Sequence, residues 1–152
     1  MSDTKLQAFT LPATGGVDFD SEFLAGKPAV IFFYPKDNTP GCTVENTQFR
    51  DLYPAFEQLG CTVLGVSRDS IKSHENFKAK FSLPFPLLSD AEEALCTQFG
   101  VIKQKMMYGK QVRGIERSTF VIDRDGTIAR EWRGLKADGH AQEVLEAVRA
   151  LG

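Results

Sequence analysis

Residues 29–49 decide the fold, and they read AVIFFYPKDNTPGCTVENTQF. The run from Ala29 to Tyr34 is continuously apolar, which is typical of a strand that is buried on both faces of a sheet. From Phe49 to Leu59 apolar residues recur at helical spacing. Pro54 falls inside this helix, and we expect it to bend the helix because it removes one backbone donor. The stretch therefore predicts a buried strand, a loop and a long helix.

The rest of the chain continues this alternation of strands and helices. The patterns predict, in order, a buried strand at 61–67, a helix at 70–81, a short strand at 87–88, a helix at 91–99, a hairpin at 118–123 and 127–132, and a last helix from about Asp138. The early βαβ part implies parallel strands with helices on both faces, and the late hairpin adds antiparallel strands. The predicted fold class is α/β, with a central mixed β-sheet flanked by helices. Residues 1–152 contain no repeat or linker and are expected to form a single domain.

Composition and charge exclude several classes of protein. The chain is 42% hydrophobic and has a formal net charge of −2, so it can form a substantial core and lacks the basic excess of a nucleic-acid-binding protein. No signal-peptide pattern and no apolar run long enough to span a membrane is present. The three cysteines are too few for a secreted disulfide framework. We therefore expect a cytoplasmic protein with reduced thiols that binds neither nucleic acid nor membranes.

Cys42 is the candidate nucleophile. It follows the carboxyl end of a buried strand, where open α/β sheets place their sites. Pro40 and Gly41 shape the turn, so Cys42 falls in the first turn of the helix, where unpaired N–H groups and the helix dipole favour a thiolate. The dipole contributes about 0.3–1 kcal/mol, which is less than one pKa unit, so a second positive group is needed to ionise most of the thiol. By residue type alone Cys42 would be an inert core side chain, but its position favours a catalytic role.

The pattern Pro35-x-x-x-Thr39-x-x-Cys42 resembles the active-site signature of the peroxiredoxins. Residues 33–45 are similar to the bacterioferritin-comigratory-protein subfamily, also called the Q type. The similarity continues over nearly the whole chain, including residues 87–90, 99–101 and 117–123. It implies a thioredoxin-like fold and a peroxidase that reduces hydrogen peroxide and organic hydroperoxides through a sulfenic acid on Cys42. It implies no cofactor, and the histidines and cysteines show no metal-ligand spacing.

The resemblance also implies roles for individual residues. Cys42 is the implied peroxidatic cysteine, Thr39 offers its hydroxyl to the thiolate and the peroxide, and Pro35 shields the sulfur from water. Arg117, at the start of a later strand, supplies the positive charge and binds the peroxide oxygens. Gly41 belongs to the implied substrate-binding set. Without the resemblance, Arg117 would be read as a surface cation at a strand end.

The step after oxidation has no evident partner within the chain. Q-type proteins carry a resolving cysteine five residues after the first or in the next helix, and these positions align with Thr47 and Lys78 here. Cys61 is predicted to be a core residue, and Cys96 lies at a position incidental to catalysis, although either thiol remains a candidate. The leading hypothesis is a one-cysteine mechanism, in which thioredoxin, glutaredoxin or glutathione reduces the sulfenic acid. The resemblance favours a monomer, with a dimer as the alternative.

Three other features leave alternatives open. Glu45 is either a support within the catalytic loop or an acid well placed near a helix amino terminus. Residues 103–114 carry four basic side chains and no acidic one, which indicates either a patch for an anionic partner or, the preferred interpretation, a solvated loop. His74 and His140 show no partner pattern.

Two other functions compete with a peroxidase. A thioredoxin-like disulfide reductase would need a Cys-x-x-Cys pair, which the Thr and Glu at positions 39 and 45 do not provide. A peroxide-sensing redox module would use the oxidation of Cys42 as a signal. A sensor would be oxidised once, whereas a peroxidase turns over when a thiol donor is supplied.

Overall fold

The computed structural model describes residues 4–151, without the side chains of Lys105 and Met107. The strands are β1 Thr10–Ala13, β2 Val17–Asp20, β3 Ala29–Phe33, β4 Thr62–Ser67, β5 Leu87–Ser89, β6 Ile102–Met107, β7 Lys110–Ile115, β8 Ser118–Ile122 and β9 Ile128–Arg133. The helices are α1 Pro40–Gln58, α2 Ile71–Phe81, α3 Ala94–Phe99 and α4 His140–Ala150, with a 3₁₀ turn at Ser21–Leu24. Helix α1 continues through Pro54. No helix within residues 4–151 is long and apolar enough to cross a membrane.

Seven strands form one mixed sheet in the order β2-β1-β5-β4-β3-β8-β9. Strands β3, β4 and β5 run parallel to one another, whereas β8 pairs antiparallel with both β3 and β9. Every residue of β3 is buried because the strand has a neighbour on each edge and apolar cores on both faces. The predicted mixed sheet flanked by helices is confirmed.

The side chains of β3 alternate between two cores on opposite faces of the sheet. Phe32 belongs to the core that α1 and α4 cover, and Phe33 belongs to the core that α3 covers. Phe32 stacks on Phe49 of α1, with 4.5 Å between the ring centroids. This stacking fixes α1 on the sheet directly beyond the loop that connects it to β3.

Helix α3 begins later than predicted. The pattern predicted a helix over residues 91–99, but the helix begins at Ala94 because Glu93 adopts a left-handed conformation with φ of 63°. The carboxylate of Asp90 then accepts the N–H of Cys96 at 2.7 Å. Asp90 and Glu93 thus lie in the turn before the helix.

The prediction of a solvated loop at residues 103–114 is wrong, because β6 and β7 form a separate two-stranded hairpin. Its turn has positive φ at Tyr108 and Gly109, as a tight hairpin turn requires. Most described side chains of this hairpin are exposed, so no buried face imposed an alternating pattern. Of the basic residues considered as an alternative patch for an anionic partner, Arg113 pairs with Glu93, and the side chain of Lys105 lies outside the described residues.

Candidate active site

Cys42 is buried in the first turn of α1. Thr39 is the N-cap, and Pro40 takes the first helical position, which suits a residue with a fixed φ and no N–H. The hydroxyl of Thr39 does not cap the helix but donates to the carbonyl of Lys36 at 2.9 Å. The first N–H groups of α1 are therefore left without a side-chain cap from Thr39.

Arg117 is the second positive group beside Cys42, in addition to the helix dipole. Its Nη2 lies 3.5 Å from the Sγ of Cys42. The register of the sheet explains this contact: Ser118 of β8 pairs with Phe33 of β3, so the residue before Ser118 reaches the loop that follows β3. A guanidinium is permanently charged, so this contact places a positive charge next to the sulfur.

Gly41 leaves room for the close approach of Arg117. A Cβ atom at Gly41 would lie 2.9 Å from the Nη2 of Arg117, which is too close for a van der Waals contact. The glycine thus leaves the space in which the guanidinium reaches the helix start. The sequence indicated a turn at Gly41 but not this steric reason.

Glu45 holds the other side of the guanidinium. Its Oε1 accepts a hydrogen bond from the Nη1 of Arg117 at 2.7 Å, and its side chain is fully buried. Burial raises the pKa of Glu45 to about 7, although the charge of Arg117 opposes this shift. Burial alone would lower the pKa of Arg117, but the charges of Glu45 and Cys42 raise it. Glu45 therefore supports the site rather than serving as a solvated acid at the helix start.

The structure brings most of the predicted site residues together. Thr39, Gly41, Cys42 and Arg117 surround the start of α1. Pro35 lies exposed at the end of β3, where the loop begins. The loop and α1 are contiguous in sequence, but Arg117 joins them only through the pairing of β3 with β8.

Cys61 and Cys96 both lie far from the site. Cys61 follows the carboxyl end of α1, whereas Cys42 lies at its amino end, and the helix between Cys42 and Gln58 spans about 24 Å at 1.5 Å per residue. Cys96 packs on the opposite face of the sheet. Burial raises the pKa of Cys61 to about 12 and, with contributions from Asp90, also raises that of Cys96. A disulfide with Cys42 requires about 4.4–6.8 Å between Cα atoms, which the length of α1 excludes for Cys61, and the sheet lies between Cys42 and Cys96.

Both histidines have hydrogen-bond partners, although the sequence shows no partner pattern for either. The Nδ1 of His74 lies 2.7 Å from the Oδ2 of Asp37, which is in the loop between β3 and α1. The Nε2 of His140 lies 2.9 Å from the hydroxyl of Thr119. Burial, and secondarily the charge of Arg117, lowers the pKa of His140 to about 4. The residue pattern gave no sign of these contacts because both partners are distant in sequence.

Comparisons with known proteins agree with this geometry. Residues 3–131 match the AhpC/TSA family. The Peroxiredoxin Bcp of Xanthomonas campestris pv. campestris is 51% identical over 156 residues, which cover 99% of this chain and 98% of that protein. The Peroxiredoxin Bcp of Bacillus subtilis is 48% identical over 126 residues, which cover 83% of this chain and 80% of that protein.

Two solved structures show the same architecture. A cysteine-to-serine mutant of PrxQ from Xylella fastidiosa superimposes with a TM-score of 0.94 at 45% identity, covering 99% of this chain and 96% of that one. The bacterioferritin comigratory protein of Xanthomonas campestris, in trapped intermediate and ligand complexes, gives a TM-score of 0.90 at 52% identity, covering 93% and 90%.

The thioredoxin-like fold and a cysteine paired with an arginine at a helix start define a thiol-dependent peroxidase. The chain belongs to the AhpC/TSA family, and its relatives place it with the Bcp or Q-type peroxiredoxins, as the sequence resemblance predicted. Its substrate is a peroxide, and its reductant is a thiol.

Proposed function

We propose that Cys42 is the thiol that attacks the hydroperoxide and that Arg117 activates it. The observation that supports this assignment is the 3.5 Å contact between the Nη2 of Arg117 and the Sγ of Cys42. Glu45 holds the guanidinium from the other side through a 2.7 Å hydrogen bond. Thr39 contributes a hydroxyl whose proton is already donated to Lys36, so its oxygen accepts a hydrogen bond from the O–H of the peroxide.

The proposed reaction is a nucleophilic displacement at oxygen. The Cys42 thiolate attacks the terminal oxygen of the hydroperoxide, the S–O bond forms and the O–O bond breaks. The leaving oxygen takes a proton and departs as water or an alcohol, while Cys42 becomes a sulfenic acid. Arg117 stabilises the negative charge that develops on the leaving oxygen. Pro35, exposed at the start of the loop, shields the sulfur on that side.

We infer that both hydrogen peroxide and organic hydroperoxides are substrates. The related bacterioferritin comigratory protein of Xanthomonas campestris has alkyl peroxide reduction activity, and it is 52% identical to this chain. In the reaction above, the protein contacts only the two peroxide oxygens. The organic group departs with the leaving oxygen and takes no part in bond formation.

We further propose that an external thiol resolves the sulfenic acid. Thr47 and Lys78 stand at the positions aligned with the family's resolving cysteine, and both are occupied with other contacts: the Thr47 hydroxyl donates to Thr43, and Lys78 donates to Phe85. The location of Cys61 at the far end of α1 also supports an external thiol. A first thiol attacks the sulfenic sulfur, releases water and forms a mixed disulfide with Cys42. A second thiol attacks the sulfur of the first, which forms a disulfide between the two donors and releases Cys42 as a thiol. Thioredoxin, glutaredoxin and glutathione are the proposed donors.

The assignment of Cys42 is tested by peroxide consumption, with thioredoxin and glutathione systems supplied separately. We expect Cys42→Ser to lose turnover completely with every donor, and Cys61→Ser to retain it as the matched control. Retained turnover in Cys42→Ser would refute the assignment. Reduction of insulin disulfides by the wild type would instead favour a disulfide reductase, and a single oxidation without turnover would favour a sensor.

The one-cysteine mechanism is tested by mass spectrometry of the peroxide-treated protein without a thiol donor. We expect a Cys42 sulfenic acid and no intramolecular disulfide. A disulfide that disappears in Cys61→Ser or Cys96→Ser would show that one of these thiols resolves the intermediate.

We propose that the protein is a cytoplasmic monomer and that residues 1–152 form one domain. Three buried free thiols are compatible with a reducing compartment. The single seven-stranded sheet, with its two cores, supports a single domain. Sedimentation of the reduced and oxidised protein tests the monomer, and cell fractionation tests the location.

A further inference from the structure

Asp37 anchors the catalytic loop, residues 35–39, in the interior of the protein. Its side chain is only 3% exposed, and the side chain of His74 on α2 is 0% exposed. The Oδ1 of Asp37 accepts the hydroxyl of Tyr34 at 2.6 Å, and its Oδ2 accepts the hydroxyl of Ser73 at 2.8 Å. The same Oδ2 lies 2.7 Å from the Nδ1 of His74. These hydrogen bonds fix the position of the Asp37 carboxylate, while the rest of the loop is largely exposed.

One proton is shared between Asp37 and His74. The Nε2 of His74 lies 2.9 Å from the carbonyl oxygen of Leu88, and because a carbonyl only accepts, Nε2 carries a proton. A single further proton then bridges the Nδ1 of His74 and the Oδ2 of Asp37. Burial, and then the nearby Asp37, raises the pKa of Tyr34 well above its usual value, so this hydroxyl is the donor in its bond to Asp37. Every polar side-chain atom of Asp37 and His74 therefore has a hydrogen-bond partner.

These contacts also account for a cluster that resembles a metal site. Ligand atoms of Asp37, Asp69 and His74 lie within 4.8 Å of one another. The Oδ2 of Asp69 accepts the backbone N–H of Asp37 at 2.8 Å and the hydroxyl of Ser67 at 2.6 Å. The group thus serves as a hydrogen-bonded anchor between the catalytic loop, β4, β5 and α2.

The anchor is connected to the site through the backbone of the loop. Lys36 precedes Asp37, and its carbonyl accepts the hydroxyl of Thr39 at 2.9 Å. Asn38, which follows Asp37, has a left-handed φ of 61°, a conformation that is uncommon for a residue other than glycine. If Asp37 were released, the Lys36 carbonyl would no longer be fixed, and the Thr39 hydroxyl would lose its orientation at the start of α1.

We propose that Asp37 and His74 are positioning residues for the peroxide step. Their proton-bridged contact holds the catalytic loop against α2 and thereby orients the Thr39 hydroxyl toward the peroxide. This inference rests on the proposed role of Cys42 as the attacking thiol. It does not extend to the thiol step, because Cys42 is buried in this closed arrangement and a bulky reductant needs the start of α1 to open locally.

The test separates the two half-reactions. Stopped-flow measurements give the rate constant for oxidation of Cys42 by hydrogen peroxide and, separately, that for reduction of the preformed sulfenic acid by glutathione. The variants are Asp37→Ala, His74→Ala, Ser73→Ala and Asp37→Asn. In Asp37→Asn the amide nitrogen can donate to the Nδ1 of His74 and to the Ser73 hydroxyl, and the amide oxygen still accepts from Tyr34, so the contacts are kept without the shared proton. Leu11→Ala, which shortens a buried side chain on the opposite face of the sheet, controls for a general loss of stability.

We expect Asp37→Ala and His74→Ala to oxidise at least 10-fold more slowly, while reduction of their sulfenic acid is unchanged or faster. Asp37→Asn should stay within about threefold of the wild type in both steps. Ser73→Ala, which removes one half-buried hydroxyl and should fold normally, should slow oxidation by about threefold. Oxidation at the wild-type rate in folded Ser73→Ala and in His74→Ala would overturn the proposal. The proposal would also be overturned if the rate constants of both half-reactions fell equally in Asp37→Ala and His74→Ala, and by as much as in Leu11→Ala. A fall in the oxidation rate of Asp37→Asn as large as that of Asp37→Ala would overturn it too.

Failure of this inference is distinguishable from failure of the proposed site. If Cys42→Ser still consumes peroxide, the assignment of the nucleophile is wrong whatever the loop variants do. If Cys42→Ser is inactive and the loop variants oxidise normally, the nucleophile stands and only the positioning role is refuted.

Discussion

Substitution of Gly41 by alanine isolates the contribution of Arg117 to catalysis. The added Cβ would lie 2.9 Å from Nη2, the same atom that lies 3.5 Å from the sulfur of Cys42. Since ordinary van der Waals contact begins at 3.4 Å, the guanidinium must retreat. At an effective dielectric constant of about 20, a retreat of about 0.5 Å weakens the attraction between unit charges from about 4.7 to about 4.1 kcal/mol. We therefore expect the oxidation of Cys42 to slow by about threefold.

The assay is single-turnover oxidation by hydrogen peroxide, with urea unfolding measured in parallel. Alanine is the better helix former, so the free energy of unfolding should be unchanged or higher in Gly41→Ala. Gly114→Ala is the matched control because its Cβ would lie 4.0 Å from the Nη2 of another arginine, Arg68, and we expect the wild-type rate. An oxidation rate within twofold of the wild type in folded Gly41→Ala would refute the argument that Gly41 makes room for Arg117.

Three further predictions concern the groups around Arg117. Thr39→Val should slow oxidation by about 10- to 100-fold, since a hydrogen bond to the reacting oxygens is lost, and Thr39→Ser should recover most of the rate in the same stopped-flow assay. Burial raises the pKa of Glu45 from 4.5 to about 7, so the unfolded state loses this proton at a lower pH than the folded state does. As the pH rises from 4.5 to 7, the free energy of unfolding of the wild type, measured in urea titrations, should therefore fall by on the order of 3 kcal/mol relative to that of Glu45→Gln. His140 has its pKa lowered from 6.5 to about 4, so the unfolded state gains a proton first. Stability should fall by on the order of 3 kcal/mol between pH 6.5 and 4, and this fall should be absent in His140→Gln; an unchanged pH dependence in either variant would contradict its assignment.

Elements with a buried face could be predicted from the sequence because burial imposes a pattern. The apolar run that forms β3 and the helical spacing around Phe49 predicted the central strand and α1. The β6–β7 hairpin could not be found in this way, because its described side chains are mostly exposed. The β1–β2 hairpin has a local sequence signal, the pair Gly15 and Gly16, which both have positive φ in its turn.

The catalytic loop and the first turn of α1 are local, so the sequence by itself determined the placement of Cys42 at a helix start after Thr39 and Pro40. The resemblance to the peroxiredoxins then predicted Arg117. Only the tertiary structure decided how these groups act together. The pairing of β3 with β8 brings Arg117 to the sulfur, and the packing of α2 brings His74 to Asp37. Such contacts depend on which strands and helices become neighbours, which is settled by burial of the whole core and not by the residues near Cys42 in the chain.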